Sequence, residues 1–119
     1  MLRVNTKPRK RNSPRPAHKD APGFLQWIRG RDCFVSESGE CEGKIEAAHI
    51  DRVGGKGMGT KVADRWAIPL CSKHHRMQHT IGWVSFQERY FFGAPGIAQT
   101  YWQRWPGRIA WERKLEEQQ

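Results

Sequence analysis

Apolar residues in this chain fall into short runs, and the first runs predict a strand-rich beginning. Residues 24–28 form a short apolar segment at which folded structure is expected to begin. From residue 33 to residue 50 the pattern predicts a β-hairpin, with a first strand at 33–35, a turn at 38–40 and a second strand ending at His49. A glycine-rich loop at residues 54–59 follows.

The second half of the chain predicts helices. Residues 66–70 are an apolar run that leads into a helix predicted at about 72–80, and this helix is expected to stop near Gly82. A second helix is expected at about 85–92, and the piece from 98 to 119 is helical with an interruption at Pro106 and Gly107. This last piece contains Trp102, Trp105 and Trp111. Their spacing favours a role in packing over stacking on bases.

The length of 119 residues predicts one α+β domain with tails. We expect a basic N-terminal arm at 1–23, a domain at 24–93 and a helical C-terminal extension at 94–119. The arm is proline-rich, contains seven Lys or Arg residues against one Asp, and has too few apolar residues to order itself. It is either a DNA-binding arm that lies along phosphates through Arg9, Lys10 and Arg11, or a solubilising, disordered terminus.

The formal net charge of +9 and the pI near 10.0 predict a polyanionic partner, and DNA is the first candidate. No apolar run approaches the roughly 20 residues that span a bilayer. We therefore expect a soluble protein in the cytoplasm of a bacterial or phage-infected cell.

A cluster of metal-ligand residue types is the main chemical signal. Four of the five histidines and all three cysteines fall within residues 33–79. Cys71 and His74 are three residues apart at a predicted helix start, so both side chains can face one way. With Cys33 and Cys41 they predict a Cys3His structural zinc site. The alternative is three reduced, partly buried cysteines.

Further histidines predict a second centre. His75 and His79 are one helical turn apart, which is the spacing that lets two imidazoles reach one cation. A solvated helix face is the alternative for this pair. His49 stands at the end of an apolar strand, where it is either a core residue or a general base, a role for which the imidazole side chain is chemically suited.

These residues resemble the HNH nuclease motif and its ββα-metal fold. The resemblance covers residues 33–86 in four ordered elements, and is nearest to small phage and prophage proteins linked to recombination. The elements are a cysteine pair, the strand end Ala48-His49-Ile50, the stretch from Gly57 to Asp64, and the helix start Leu70-Cys71-x-x-His74-His75 followed by His79.

The resemblance implies a zinc-stapled DNA endonuclease in which His49 is the general base. It makes His75 and His79 ligands of a catalytic Mg²⁺, Mn²⁺ or Zn²⁺. Relatives carry a further metal ligand at the position of Ala48, which cannot ligate, and Trp66 stands at the position of the motif's middle Asn. Asp64 or Asp51 could supply the missing oxygen, and Asp64 is favoured.

Two interpretations of the remaining features stay open. The glycine-rich loop lacks the Lys-Ser/Thr order of a phosphate-binding P-loop. It either brings Lys56 and Lys61 to DNA phosphates or is a flexible connection. The alternative to the nuclease is a noncatalytic zinc module that binds DNA or a recombination or replication partner.

Overall fold

A two-stranded antiparallel sheet lies at the centre of the protein, in a computed structural model that describes residues 16–51 and 62–118. Strand β1 (Ile45–His49) pairs with strand β2 (Ala67–Cys71), so that Ile45 faces Cys71 and His49 faces Ala67. The strand predicted to end at His49 is confirmed. The apolar run at 66–70, expected to be an approach to a helix, is instead its partner strand.

The predicted hairpin is wrong in its first half. Residues 33–35 form no strand, and a short 3-10 helix, Ser36–Ser38, follows them. The backbone N–H of Phe34 does donate to the carbonyl of Pro69, so this segment covers the outer edge of β2. Proline has no backbone N–H to donate to a neighbouring strand. Pro69 is tolerated in β2 because, among the described residues, no further strand pairs with the outer edge of β2. Cys33 in this segment and Cys41 beyond it converge instead on His74.

Within residues 16–51 and 62–118, four α-helices surround the sheet. They are α1 (Pro22–Arg29), α2 (Ser72–Tyr90), α3 (Ala94–Arg104) and α4 (Arg108–Glu117). Helix α2 bends at Gly82, whose φ of 85° and ψ of 160° are not helical and favour glycine. The expectation of two helical segments separated near Gly82 is therefore confirmed. The interruption expected at Pro106 and Gly107 is confirmed as the break between α3 and α4.

Alternating residues of each strand pack into two different clusters, one on each face of the sheet. Ala48, Ile68 and Leu70 belong to a cluster with Phe86 of α2 and two alanines of α3. Ala67, next in sequence to Ile68, belongs instead to a second cluster with α1. The sheet thus separates α1 on one face from α2 on the other, as the two-residue period of a strand requires.

The second cluster is aromatic. Trp102 is 2% exposed and contacts the rings of Phe24, Trp105 and Trp111. The packing role favoured for these tryptophans is confirmed. Because these contacts join α1, α3 and α4, the C-terminal extension is packed into the same body as the sheet.

Residues 16–23, assigned to the basic arm, also lie on the folded body. They include a short 3-10 helix, Ala17–Lys19, and the buried Ala21. The indole N–H of Trp111 donates to the carbonyl of Asp20 at 3.0 Å. Arg9, Lys10 and Arg11 lie outside the described residues, as do the glycine-rich loop with Lys56 and Lys61. Within the described part of the chain, no helix has the length and apolar character needed to cross a membrane.

Candidate metal centre and histidine–carboxylate pairs

Three cysteines and one histidine converge where β2 meets α2. The ligand atoms of Cys33, Cys41, Cys71 and His74 all lie within 4.8 Å of one another. The sulfur atoms lie 3.6, 3.6 and 3.1 Å from Nδ1 of His74, in the order Cys33, Cys41 and Cys71. The four residues predicted to bind a structural metal are therefore brought together.

Local backbone geometry produces this convergence. Cys71 ends β2 and caps α2, and its sulfur accepts a hydrogen bond from the backbone N–H of His74. Gly43 has a φ of +85°, and a Cβ there would lie 2.6 Å from Cβ of Ser72. Only glycine lets the loop after Cys41 lie this close to the start of α2. The loop therefore delivers its thiol to the helix that carries His74.

The tautomer of His74 suits metal binding. The hydroxyl of Ser38 donates to the carbonyl of Val35, and its oxygen lies 3.4 Å from Nε2 of His74. Because that hydroxyl proton is already used, the Ser38 oxygen accepts the Nε2–H. The lone pair of His74 is then on Nδ1, which faces the three sulfurs. Such an outer hydrogen bond is the usual way in which a protein orients a ligating histidine.

The ionisation of these groups depends on burial and on hydrogen bonds. Burial raises the pKa of the Cys33 thiol, and desolvation together with its thiol neighbours raises the pKa of Cys41 to about 12. Burial opposes ionisation of Cys71, but hydrogen bonds from the backbone of His74 and Glu42 and from the other two thiols together outweigh it and lower the pKa of Cys71. Burial and the nearby Lys73 lower the pKa of His74, which keeps its imidazole neutral.

A metal ion with tetrahedral geometry fits this donor set. Zinc–sulfur bonds of about 2.3 Å and zinc–nitrogen bonds of about 2.0–2.1 Å place sulfur and nitrogen about 3.6 Å apart on one tetrahedral ion. Two of the three observed sulfur–nitrogen distances are 3.6 Å. The four residues are thus positioned to bind a metal ion, and their chemistry is the kind that structural zinc sites use.

His49 forms a pair with Asp64. Nε2 of His49 lies 3.0 Å from Oδ1 of Asp64, and Oδ2 of Asp64 accepts the backbone N–H of Ala21 at 2.8 Å. The side chain of Asp64 is 4% exposed, while that of His49 is 32% exposed. Because a carboxylate accepts, Nε2 of His49 carries a proton, and Nδ1 of the neutral imidazole carries the lone pair. Asp64 therefore orients the His49 ring.

This contact corrects the role expected of Asp64. It was expected to join His75 and His79 around a cation, but its two oxygens are directed to His49 and Ala21. The carboxylate that contacts His75 is Glu46, whose Oε1 lies 2.7 Å from Nδ1 of His75. The ring centres of His75 and His79 lie 4.8 Å apart.

Sequence reasoning missed Glu46, although a signal was present. Glu46 and Ala48 are two residues apart on β1 and share a face of the sheet. A carboxylate missing at position 48 could therefore have been sought at position 46. Trp83 was also missed, and its indole N–H donates to the carbonyl of His49 at 3.1 Å. Nothing in the local pattern indicated this contact, because it joins residues that are 34 positions apart.

Helix α2 runs alongside β1 in the same direction. His75 near its start contacts Glu46, and Trp83 beyond the bend contacts His49. His79 is one turn after His75 and one turn before Trp83, so it lies between these two contacts. Helix α2 thus contacts β1 at two points, the side chain of Glu46 and the backbone carbonyl of His49.

The fold and the site define a small α+β protein with a Cys3His group at a strand–helix junction that is positioned to bind a metal ion. Residues 2–93 match the family described as "Protein of unknown function (DUF968)", and the chain belongs to that family. It is 33% identical over 69 residues to "Uncharacterized protein YdfU" of Escherichia coli strain K12. The match covers 56% of this chain and 18% of that relative. No solved structure matches the chain.

Proposed function

We propose that this protein is a metal-dependent DNA endonuclease of the HNH type, which hydrolyses phosphodiester bonds. The observation that carries the proposal is the packing of β1 and β2 against α2, with histidine–carboxylate pairs at His49 and His75. The order of strand, strand and helix agrees with the ββα-metal arrangement that the motif resembles. His49 at the end of β1 is paired with Asp64, while the histidine pair on α2 lies next to Glu46 of β1, so a candidate base and a candidate cation site are on adjoining elements.

In this reaction His49 is the general base. Its Nδ1 accepts a proton from the water that attacks phosphorus, because Nε2 is already hydrogen-bonded to Asp64. Asp64 keeps the ring in this tautomer and stabilises the imidazolium that forms. Trp83 holds the carbonyl of His49, so the base is fixed through both its side chain and its backbone. Partial exposure of His49 leaves it accessible to water and substrate.

His75 and His79 would hold a single catalytic cation, which is Mg²⁺, Mn²⁺ or Zn²⁺. When bound, such an ion polarises a nonbridging phosphate oxygen and stabilises the charge that develops on the leaving oxygen. The residues of this chain contribute two imidazole nitrogens to it. With two ligands from the protein, the ion would stay accessible to water and phosphate, as catalytic sites require.

Zinc is the metal we assign to Cys33, Cys41, Cys71 and His74. Its role is structural, because four protein ligands leave no position for substrate. The site joins the loop of residues 33–43 to the junction of β2 and α2, and thereby fixes the start of the helix that carries His75. The excess of positive charge on the chain supports DNA as the partner. A role in phage or prophage recombination is part of the proposal.

A noncatalytic zinc module that binds DNA is the second candidate, favoured by the Cys3His centre. The two functions are separated by incubating the zinc-loaded protein with plasmid, single-stranded and branched DNA in Mg²⁺, Mn²⁺ or Zn²⁺. A nuclease cleaves at least one of them, and His49→Ala lowers the rate by about 10²- to 10⁴-fold while it leaves DNA affinity and zinc content unchanged. DNA binding without cleavage in any metal would establish the second candidate.

A further inference from the structure

We propose that Glu46 is a positioning residue that fixes the metal-binding nitrogen of His75, so that His75 and His79 together hold a divalent cation. The carboxylate of Glu46 would then belong to the cation site of the proposed nuclease. The inference rests on the proposed function only for the purpose of that cation, because binding of the ion can be measured without DNA.

Both oxygens of Glu46 have partners. Oε1 accepts from Nδ1 of His75 at 2.7 Å, and Oε2 accepts the hydroxyl of Ser72 at 2.8 Å. Ser72 and His75 are three residues apart on the first turn of α2, so one carboxylate holds two points of that turn. The side chain of Glu46 is thereby fixed against the helix although it is 36% exposed.

The contact selects one tautomer of His75. Because the carboxylate accepts, Nδ1 carries the proton, and the lone pair of the neutral ring is left on Nε2. A carboxylate behind a histidine is the common outer support of a metal ligand, where it orients the ring and raises its basicity. The side chain of His75 is 19% exposed, so Nε2 is shielded in part from bulk solvent.

His79 is placed to share an ion with His75. Two imidazoles bound to one ion, at metal–nitrogen distances of about 2.0–2.1 Å and near-tetrahedral angles, have ring centres roughly 5 Å apart. The observed separation is 4.8 Å, with 40° between the ring planes.

Glu46 acts through His75 and not as a third ligand. Among the described residues, the Cys3His centre is the one group of three or more metal-ligand side chains that meet around a common point. Glu46, His75 and His79 do not form such a group. This arrangement, with two histidines and an outer carboxylate, leaves the ion open on its remaining sides.

The decisive measurement is the affinity of the zinc-loaded full-length protein for added Mn²⁺, obtained by calorimetry. Glu46→Gln keeps the size of the side chain but removes its charge, and should weaken Mn²⁺ binding by about 10- to 100-fold. Glu42→Gln is the matched control, because Glu42 carries the same charge nearby and contacts Lys73 rather than a histidine. His75→Ala should abolish the binding, and zinc content should stay the same in all variants.

A second measurement uses only the wild-type protein, so it does not require any variant to fold. In the wild-type protein without Mn²⁺, nitrogen NMR should find the proton of His75 on Nδ1. A proton on Nε2, unchanged Mn²⁺ affinity in Glu46→Gln, or no Mn²⁺ binding by the wild type would each overturn the inference. Glu46-dependent Mn²⁺ binding by a protein that cleaves no DNA would refute the nuclease and leave the role of Glu46 established.

Discussion

Nε2 of His49 and Oδ1 of Asp64 lie 3.0 Å apart, although the two residues are 15 positions apart in the sequence. The second oxygen of Asp64 binds the backbone N–H of Ala21, just before α1. One buried carboxylate therefore links the proposed general base to the N-terminal part of the fold. Ring orientation and local stability depend on the same side chain.

Asp64→Asn should impair both the orientation of the His49 ring and the local stability of the fold. The carboxylate accepts hydrogen bonds at both oxygens, whereas an amide offers one acceptor and one donor group. Either the ring of His49 takes the wrong tautomer, or the N–H of Ala21 loses its partner. We expect slower DNA cleavage, by up to the roughly 10²- to 10⁴-fold that a general base contributes, and a stability loss of about 1–3 kcal/mol.

Cleavage kinetics and urea unfolding check this prediction, with Asp32→Asn as the control because Asp32 is exposed. The double variant with His49→Ala should cleave no more slowly than His49→Ala alone, since Asp64 acts through His49. Additive losses in the double variant would show that Asp64 has another function.

Removal of the structural metal should unfold the domain. Metal analysis should find one tightly bound zinc per chain, and a strong chelator should lower the melting temperature sharply, because binding of structural zinc contributes directly to folding free energy. Cys71→Ser should have the same effect, although its hydroxyl can still cap α2. A chelated protein that retains its melting temperature would contradict the assignment.

Zinc affinity should increase with pH. The pKa values of Cys33 and Cys41 are raised above the ordinary thiol value of 9.0, so both are protonated in the metal-free protein near neutrality. Zinc must displace these protons, and each is lost more easily as the pH rises. His74 adds no proton above neutrality, because its pKa is lowered from 6.5.

Chelator competition between pH 6.5 and 8.5, and the buffer dependence of the binding enthalpy, measure this proton release. Zinc affinity that is constant over this range would show that the thiols are already ionised before the metal binds.

The basic arm should control the salt dependence of DNA binding. Deletion of residues 1–15 removes six Lys or Arg residues and no Asp or Glu, and leaves in place residues 16–23, which pack on the body. We expect weaker binding and a smaller salt slope, since each phosphate contact with duplex DNA contributes about −0.9. Binding isotherms at several salt concentrations check it, and a full-length control with six Gln residues at these positions should match the deletion.

The elements that local pattern determines were predicted well. The β1 strand ending at His49, the interruption at Gly82 and the break at Pro106 follow from residue type and short-range spacing, and the structure contains all three. The convergence of Cys33 and Cys41 on Cys71 and His74 was also predicted, because few other arrangements satisfy four ligands of this kind.

The errors concern partners that are distant in sequence. β1 was paired with residues 33–35 because they come first along the chain, but the register joins it to β2 beyond the glycine-rich loop. Asp64 was grouped with His75 on chemical type, while its partner depends on which face of the sheet carries His49. Such choices depend on tertiary packing, which no single segment encodes.

A metal ion at the Cys3His group would also change the topology of the chain around it. When Cys41 and Cys71 share one ion, the polypeptide between them becomes a closed ring that contains β1, the glycine-rich loop and β2. The entropic cost of a ring grows slowly with its size, by only about 0.6 kcal/mol for each doubling of length. Insertions between residues 51 and 62 should therefore lower the free energy of unfolding only slightly. Exchange of this segment is therefore expected to leave both contacts of β1 with α2, Glu46 with His75 and the carbonyl of His49 with Trp83, in place.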